Sequence, residues 1–452
     1  MPRMKDLTRG PVTQHLLMMA APIAAGMIVQ TLYYLVDLYF VARLGDAAIA
    51  GVSAAGNVML VVVALTQMLG VGAVALIAQA VGRGDRHDAN LVFNQSLALA
   101  GACGLLTLAG GYALAGTYMR RLGADPATVA AGATYLRWFT PGLALQFALV
   151  AMGSALRGTG IVRPTMLVQM ISVLVNAALA PVLIAGWGSG RPLGVAGAGL
   201  ATSIAVGVGV AWLALYFATL EKYVGFHGGL WKPRLAVWRR LLDIGLPAGG
   251  EFLLMFLFTA LIYGIIRDFG AAAQAGFGMA ARLMQSIMLP AMAIAFATAP
   301  VAGQNYGAGH APRVRATFRA AILVGALVMA ALTLICQLAA THLLRGFTTD
   351  PEVIRVGAQY LRVVSWNCVA SGIVFTCSAL FQALGNTWPA LLSSAARLLT
   401  FALPAAWLSL RPGFRIEEVW YLSVATVALQ AVMSYALARR QLRLRLAPAS
   451  AA

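Results

Sequence analysis

The chain repeats itself. Shifted by 225 positions without a gap, Pro22 falls on Pro247, Gly45 on Gly270, Gly51 on Gly276, Gln79 on Gln304, Gly82 on Gly307 and Gly84 on Gly309. Further along, Asp125 falls on Asp350, Pro126 on Pro351, Tyr135 on Tyr360, Arg137 on Arg362, Gly160 on Gly385 and Pro164 on Pro389. Composition alone does not hold one register from residue 22 to residue 164. Whatever the first half folds into, the second half folds into as well.

Composition then identifies the solvent. With 61% hydrophobic residues, 10% charged residues and a mean hydropathy of +0.82, a chain of 452 residues has too little polar surface to face water. A bilayer core takes roughly 20 apolar residues per helix at about 1.5 Å per residue. Stretches of that kind are read at 15–42, 48–81, 91–119, 128–156, 164–186 and 194–219, then at 241–266, 272–302, 316–344, 353–383, 388–410 and 418–438. They are long and continuous rather than short and alternating, which excludes a β-barrel. The expected fold is an all-α integral membrane protein of twelve transmembrane helices. The first run leads into Asp37 and Arg43 instead of a small-residue cleavage site, so it reads as a helix that stays.

Most of the 32 Lys and Arg fall at the termini and in the even-numbered connections, which by the positive-inside bias places both termini in the cytoplasm. An even number of spans per half makes the two repeats parallel, with a central cavity expected between them. Residues 1–219 form the N-terminal six-helix lobe, 220–240 a cytoplasmic linker and 241–452 the C-terminal lobe. Trp231 and Trp238, beside Lys and Arg, mark the linker as an amphipathic surface segment. The pI of 10.5 does not point to nucleic acid, because the charges are scattered over short loops.

Several classes are excluded. Cys103, Cys336, Cys368 and Cys377 lie in apolar runs without CxxC spacing, and the five histidines show no ligand spacing. No phosphate loop and no nucleophile-base pair is present. The chain is read as no enzyme, with no metal and no cofactor, working as a monomer among membrane lipids on small organic molecules.

Of the 14 Asp and Glu, Asp37 and Glu251 are the two set within a span, and a carboxylate in a bilayer marks an ion or substrate path. Gln30, Tyr33 and Asp37 recur at spacings of three and four, on one face of the first helix. Pro22 on that helix removes a backbone hydrogen bond and offers a hinge. Asn176 in the fifth span and Thr202 in the sixth add an amide and a hydroxyl, completing a candidate proton or cation site. Glu251, with Met255, Phe256, Phe258 and Tyr263 nearby, is a candidate counter-charge in a substrate cavity.

VDLYFVARLGDAAIAGVSAAGN, AQAVGRGD, LRGTGIVRP and VAGQNYGAG together resemble the multidrug and toxic compound extrusion (MATE) family over nearly the whole chain. Pro22, Gln30, Tyr33, Asp37, Asn176 and Thr202 match the polar positions of its DinF-like branch. Two departures stand out. Ala180, followed by Pro181, replaces a carboxylate that many relatives carry, and the tenth span lacks the acid of the branch with a second-half site.

The resemblance implies a secondary active antiporter in the inner (plasma) membrane, exporting cationic, amphipathic compounds by alternating access. With one first-half carboxylate left, a proton is expected as the coupling ion in preference to sodium. The alternative is a lipid or lipid-linked oligosaccharide flippase of the same superfamily. Inward-facing Arg137, Arg282, Arg362 and Arg397 would signal it.

Overall fold

A computed structural model describes residues 5–123, 125–188 and 190–446, with the side chains of residues 32–38 and Ala42 outside the description. Thirteen α-helices follow one another: α1 (Val12–Ala42), α2 (Asp46–Gly82), α3 (Arg86–Leu122), α4 (Pro126–Gly158), α5 (Arg163–Ala185) and α6 (Val195–Thr219), then α7 (Leu235–Ile266), α8 (Ala271–Gly307), α9 (Ala311–Arg345), α10 (Pro351–Val364), α11 (Asn367–Ala383), α12 (Trp388–Ser409) and α13 (Ile416–Arg445). Among the described residues no strand occurs, and eleven helices are long and apolar enough to cross a membrane. They become twelve when α10 and α11, bent by 54° at their junction, count as one span.

The 225-residue offset is carried by the helices themselves. It takes α2 onto α8, and it takes α4 onto α10 and α11 together, end for end. Local chemistry explains the repeated residues. Asp125 and Asp350 cap α4 and α10, each ahead of a proline in the first turn: Asp125 accepts from the Thr128 amide at 2.9 Å, and Asp350 from the Glu352 amide at 2.9 Å. Gly51 and Gly276 are points of close helix approach. A Cβ on Gly51 would lie 2.8 Å from the Thr128 carbonyl of α4, and one on Gly276 would lie 2.9 Å from the Val353 carbonyl of α10.

The halves differ in their fourth span. α4 runs unbroken through Pro141, whereas the tenth span, read as one stretch over 353–383, breaks around Ser365 and Trp366. Side chains of α9 draw the backbone out of the helical ladder there. Thr333 Oγ1 donates to the Ser365 carbonyl at 3.0 Å, and Gln337 Nε2 donates to Ser365 Oγ at 2.8 Å and to the Arg362 carbonyl.

Two compact units result. One comprises residues 1–6 and 25–245; in it α4 packs on α2, α3 and α6, and α5 on α6. The other comprises residues 7–24 and 246–452; in it α8 packs on α9, α10 and α11, and α13 on α11 and α12. The unit boundaries at 24/25 and 245/246 fall within three residues of Pro22 and Pro247.

The segment after α6 belongs to the first unit, where polar side chains of α3 hold its backbone. Asn90 Nδ2 donates to the Tyr223 carbonyl at 3.0 Å while its Oδ1 accepts from Gly225 N at 2.9 Å. Asn94 donates to the Gly225 carbonyl at 2.9 Å and accepts from His227 N at 3.0 Å. Gln95 donates to the carbonyls of Leu230 and Lys232 and accepts from Arg234 N at 2.8 Å. Asn94 and Gln95 are fully buried. An extended segment without a ladder of its own thereby satisfies its peptide groups.

Candidate functional site

In the first unit, α1, α5 and α6 carry the polar positions. The side chains of Asp37 and Tyr33 lie outside the described residues. Gln30 is half-buried, and its Oε1 accepts from Gln169 Nε2 at 2.8 Å. Gly26, one turn earlier on α1, leaves the room, since a Cβ there would overlap Gln169 Oε1. Asn176 is fully buried on α5 and donates from Nδ2 to Thr202 Oγ1 at 3.4 Å; the Thr202 hydroxyl also donates to the Ala198 carbonyl at 3.2 Å. Gln30 is thus joined to Gln169, and Asn176 to Thr202. Gln169 escaped the sequence reading, although an amide seven residues before Asn176 shares its helix face. Ala180, one turn beyond Asn176, is fully buried and adds no polar group to the pair. Pro22 sits inside the continuous α1.

In the second unit, a cavity of about 120 Å³ opens among α7, α8, α11, α12 and α13. Glu251 is its carboxylate. Glu251 Oε2 accepts from Ser378 Oγ of α11 at 2.8 Å, and the Ser394 hydroxyl of α12 is its second partner. Gln430 Nε2 of α13 donates to Ser394 Oγ at 3.2 Å, which extends the chain of donors behind the carboxylate. Met255, Phe258, Met292 and Phe375 supply apolar wall. Residues 251, 255 and 258 follow the spacing of one helix face, and for that reason Met255 and Phe258 join Glu251. Phe256 and Tyr263 point elsewhere; the Tyr263 ring packs edge-on against Phe277, centroids 4.8 Å apart.

Arg397 lines the same cavity. Its guanidinium carbon lies 4.0 Å from the centroid of the Phe258 ring, and its Nε is buried with no hydrogen-bond partner. Among the described residues Glu251 and Arg397 form no ion pair with each other, unlike Arg83–Asp88, Arg240–Asp88 or Arg355–Glu352. Of the other arginines singled out, Arg137 and Arg282 are exposed. Arg362 lines a separate, wider cavity of about 680 Å³ with Arg345 and Arg355, where α9 ends and α10 begins.

The two polar regions occupy matching places in the repeat. By the 225-residue offset, Gly26 corresponds to Glu251, Gln30 to Met255, Tyr33 to Phe258, Gln169 to Ser394, Ser172 to Arg397 and Asn176 to Phe401. One scaffold position is therefore decorated twice, with amides in the first unit and with opposite charges among aromatic rings in the second. The geometry suits a hydrogen-bond network of amides and a hydroxyl among the described residues of one half and a charged, apolar-walled pocket in the other.

Comparison with known proteins agrees with this architecture. The MatE family model matches residues 22–182 and 247–408, one copy in each half. The chain is 25% identical to the probable multidrug resistance protein YpnP of Bacillus subtilis, over 84% of this chain and 86% of that one. It is 26% identical to an FAD transporter of Shewanella oneidensis, over 97% of both. In fold it is similar to a MOP superfamily transporter of Pyrococcus furiosus, with a TM-score of 0.91, 24% identity and coverage of 98% of this chain and 99% of that one.

Proposed function

The chain belongs to the MatE family, and from that premise we propose that it is a secondary active efflux antiporter exporting organic, amphipathic, cationic compounds in exchange for protons. The observation that carries this reading is the second-unit cavity, in which a carboxylate held by two serine hydroxyls faces Met and Phe side chains. Such a pocket, of about 120 Å³, accepts an apolar group about the size of one ring and neutralises one positive charge. The names of relatives, a multidrug resistance protein and an FAD transporter, support organic solutes as cargo.

Coupling follows from the same chemistry. A proton taken up by a carboxylate of the first unit rearranges the hydrogen-bond network around it, so protonation from outside releases the substrate that binding from inside admitted. We assign that proton uptake to Asp37, with Gln30, Tyr33, Asn176 and Thr202 around it, and the accompanying bend to Pro22. Both termini then lie in the cytoplasm and the protein sits in the inner membrane as a monomer. Of the four arginines that would mark a flippase, Arg397 lines the second-unit cavity, and one positive charge in a pocket that also holds Glu251 is too little there for a pyrophosphate.

Proteoliposomes with an imposed gradient test the reading. Dye movement is expected to follow a pH gradient with sodium absent on both sides. Movement that follows a sodium gradient, with pH clamped by buffer and ionophore, overturns proton coupling.

A further inference from the structure

We propose that Arg397 is a specificity-determining residue that holds an acidic group of the cargo, so that the second-unit cavity selects amphoteric aromatic compounds over compounds carrying only a positive charge. The proposal rests on the export reading above and names the cargo of that cavity.

The two charges of the cavity are both present and kept apart. Glu251 and Phe258 lie seven residues apart on one face of α7, which by helical rise separates their levels by about 10 Å. Ser394 reaches Glu251 from α12, and Arg397, three residues further on, sends its guanidinium up to the Phe258 ring. The negative and positive ends of the pocket are therefore on the order of 10 Å apart along the axis. Serine hydroxyls serve the first end, whereas no acid pairs with the second.

The state of the guanidinium indicates what it awaits. Phe258 stacks on the guanidinium plane and Arg397 lines the cavity, a setting in which its N–H groups can recognise a carboxylate in a forked geometry. Its Nε is shut away from solvent without a partner. A cationic group unmatched in an apolar-walled pocket repels a second cation unless the ligand also brings an acceptor. At the matching position of the first unit stands Ser172, whose hydroxyl donates to the Ala205 carbonyl at 3.2 Å, so the repeat scaffold does not require arginine here. A ligand with an amine at one end, an aromatic body and a carboxylate at the other satisfies every charged group of the cavity.

Rhodamine B and its ethyl ester provide the test, since they share a cationic ring system and differ in a free carboxylate. Binding is measured by fluorescence polarisation on the purified full-length protein in nanodiscs, and export is measured in proteoliposomes. Wild type is expected to bind the acid at least about tenfold more tightly than the ester, the size of one hydrogen-bonded charge pair. Arg397→Gln is expected to abolish that preference while changing ester affinity less than about threefold. Arg397→Lys, which keeps the charge and loses the fork, is expected to retain the sign of the preference at reduced size; it carries the comparison should the Gln variant unfold. Equal binding of acid and ester by wild type, or a preference that survives in Arg397→Gln, overturns the proposal. When the ester is nevertheless exported, the antiporter reading stands; when neither dye is exported, that reading falls with it.

Discussion

Glu251→Gln isolates the electrostatic part of substrate binding. The amide keeps the size of the side chain and one oxygen that can accept from Ser378 or Ser394, so the wall of the cavity is preserved while its charge is lost. A cation about 5 Å from the carboxylate, at an effective dielectric constant near 20, gains about 3 kcal/mol. Desolvating the cation and screening by water in the cavity take back roughly half, leaving about 1.5 kcal/mol, close to tenfold in Kd. The assay is a polarisation titration of purified protein with the permanent cation ethidium and with an uncharged dye of similar size. The variant is expected to bind ethidium about tenfold more weakly, while affinity for the uncharged dye changes less than about twofold. A variant that weakens both dyes equally refutes the argument, because a loss blind to charge reports a disturbed cavity.

Asp37→Asn is expected to abolish gradient-driven transport while leaving expression and melting temperature unchanged, because an amide cannot cycle a proton; unchanged efflux would remove Asp37 from the mechanism. Gly245→Ala brings a Cβ onto the Met68 carbonyl oxygen, where backbone cannot yield, and is expected to cost about 1–3 kcal/mol, read as a lowered melting temperature in detergent. Asn94→Ala removes one of the two side-chain partners of the Gly225 carbonyl and leaves the His227 amide without its acceptor, costing about 1–2 kcal/mol, and should speed proteolysis within residues 222–234. Burial pushes the Glu221 carboxyl up, against the pull of backbone amides and Arg86, and its Oε2 has no partner. A carboxyl whose folded pKa is raised loses stability as pH rises from its unfolded value through its folded one. Glu221→Gln should therefore flatten the fall in melting temperature from the acidic range toward neutrality, and an unaltered pH profile would contradict the assignment.

The order of elements was legible in the chain because the bilayer writes it there. Twenty-residue apolar runs are forced by hydrocarbon thickness, and a gapless offset of 225 tells which helices correspond. The repeated Asp-Pro pairs and glycines followed from that register, since caps and close helix contacts depend on neighbours a few residues away or on an equivalent helix pair. Gln30, Asn176, Thr202 and Glu251 could be picked out for the same reason: a polar side chain in lipid stands out against its surroundings.

Partnership was decided by the tertiary structure alone. No spacing within α1 says that Gln30 meets Gln169 of α5, and none within α7 says that Glu251 meets Ser378 of α11. The linker looked amphipathic in sequence, yet three amide side chains of α3 bind its backbone from more than a hundred residues away. The break between α10 and α11 was invisible for a similar reason, because hydroxyl and amide groups of α9 capture the backbone there and no proline marks the place. Arg397 shows the limit most clearly. Local sequence identifies a charge within a membrane helix, but only packing places it beside Phe258 in the cavity that also holds Glu251, since desolvation and partner distance are properties of the folded arrangement and not of the helix that carries them.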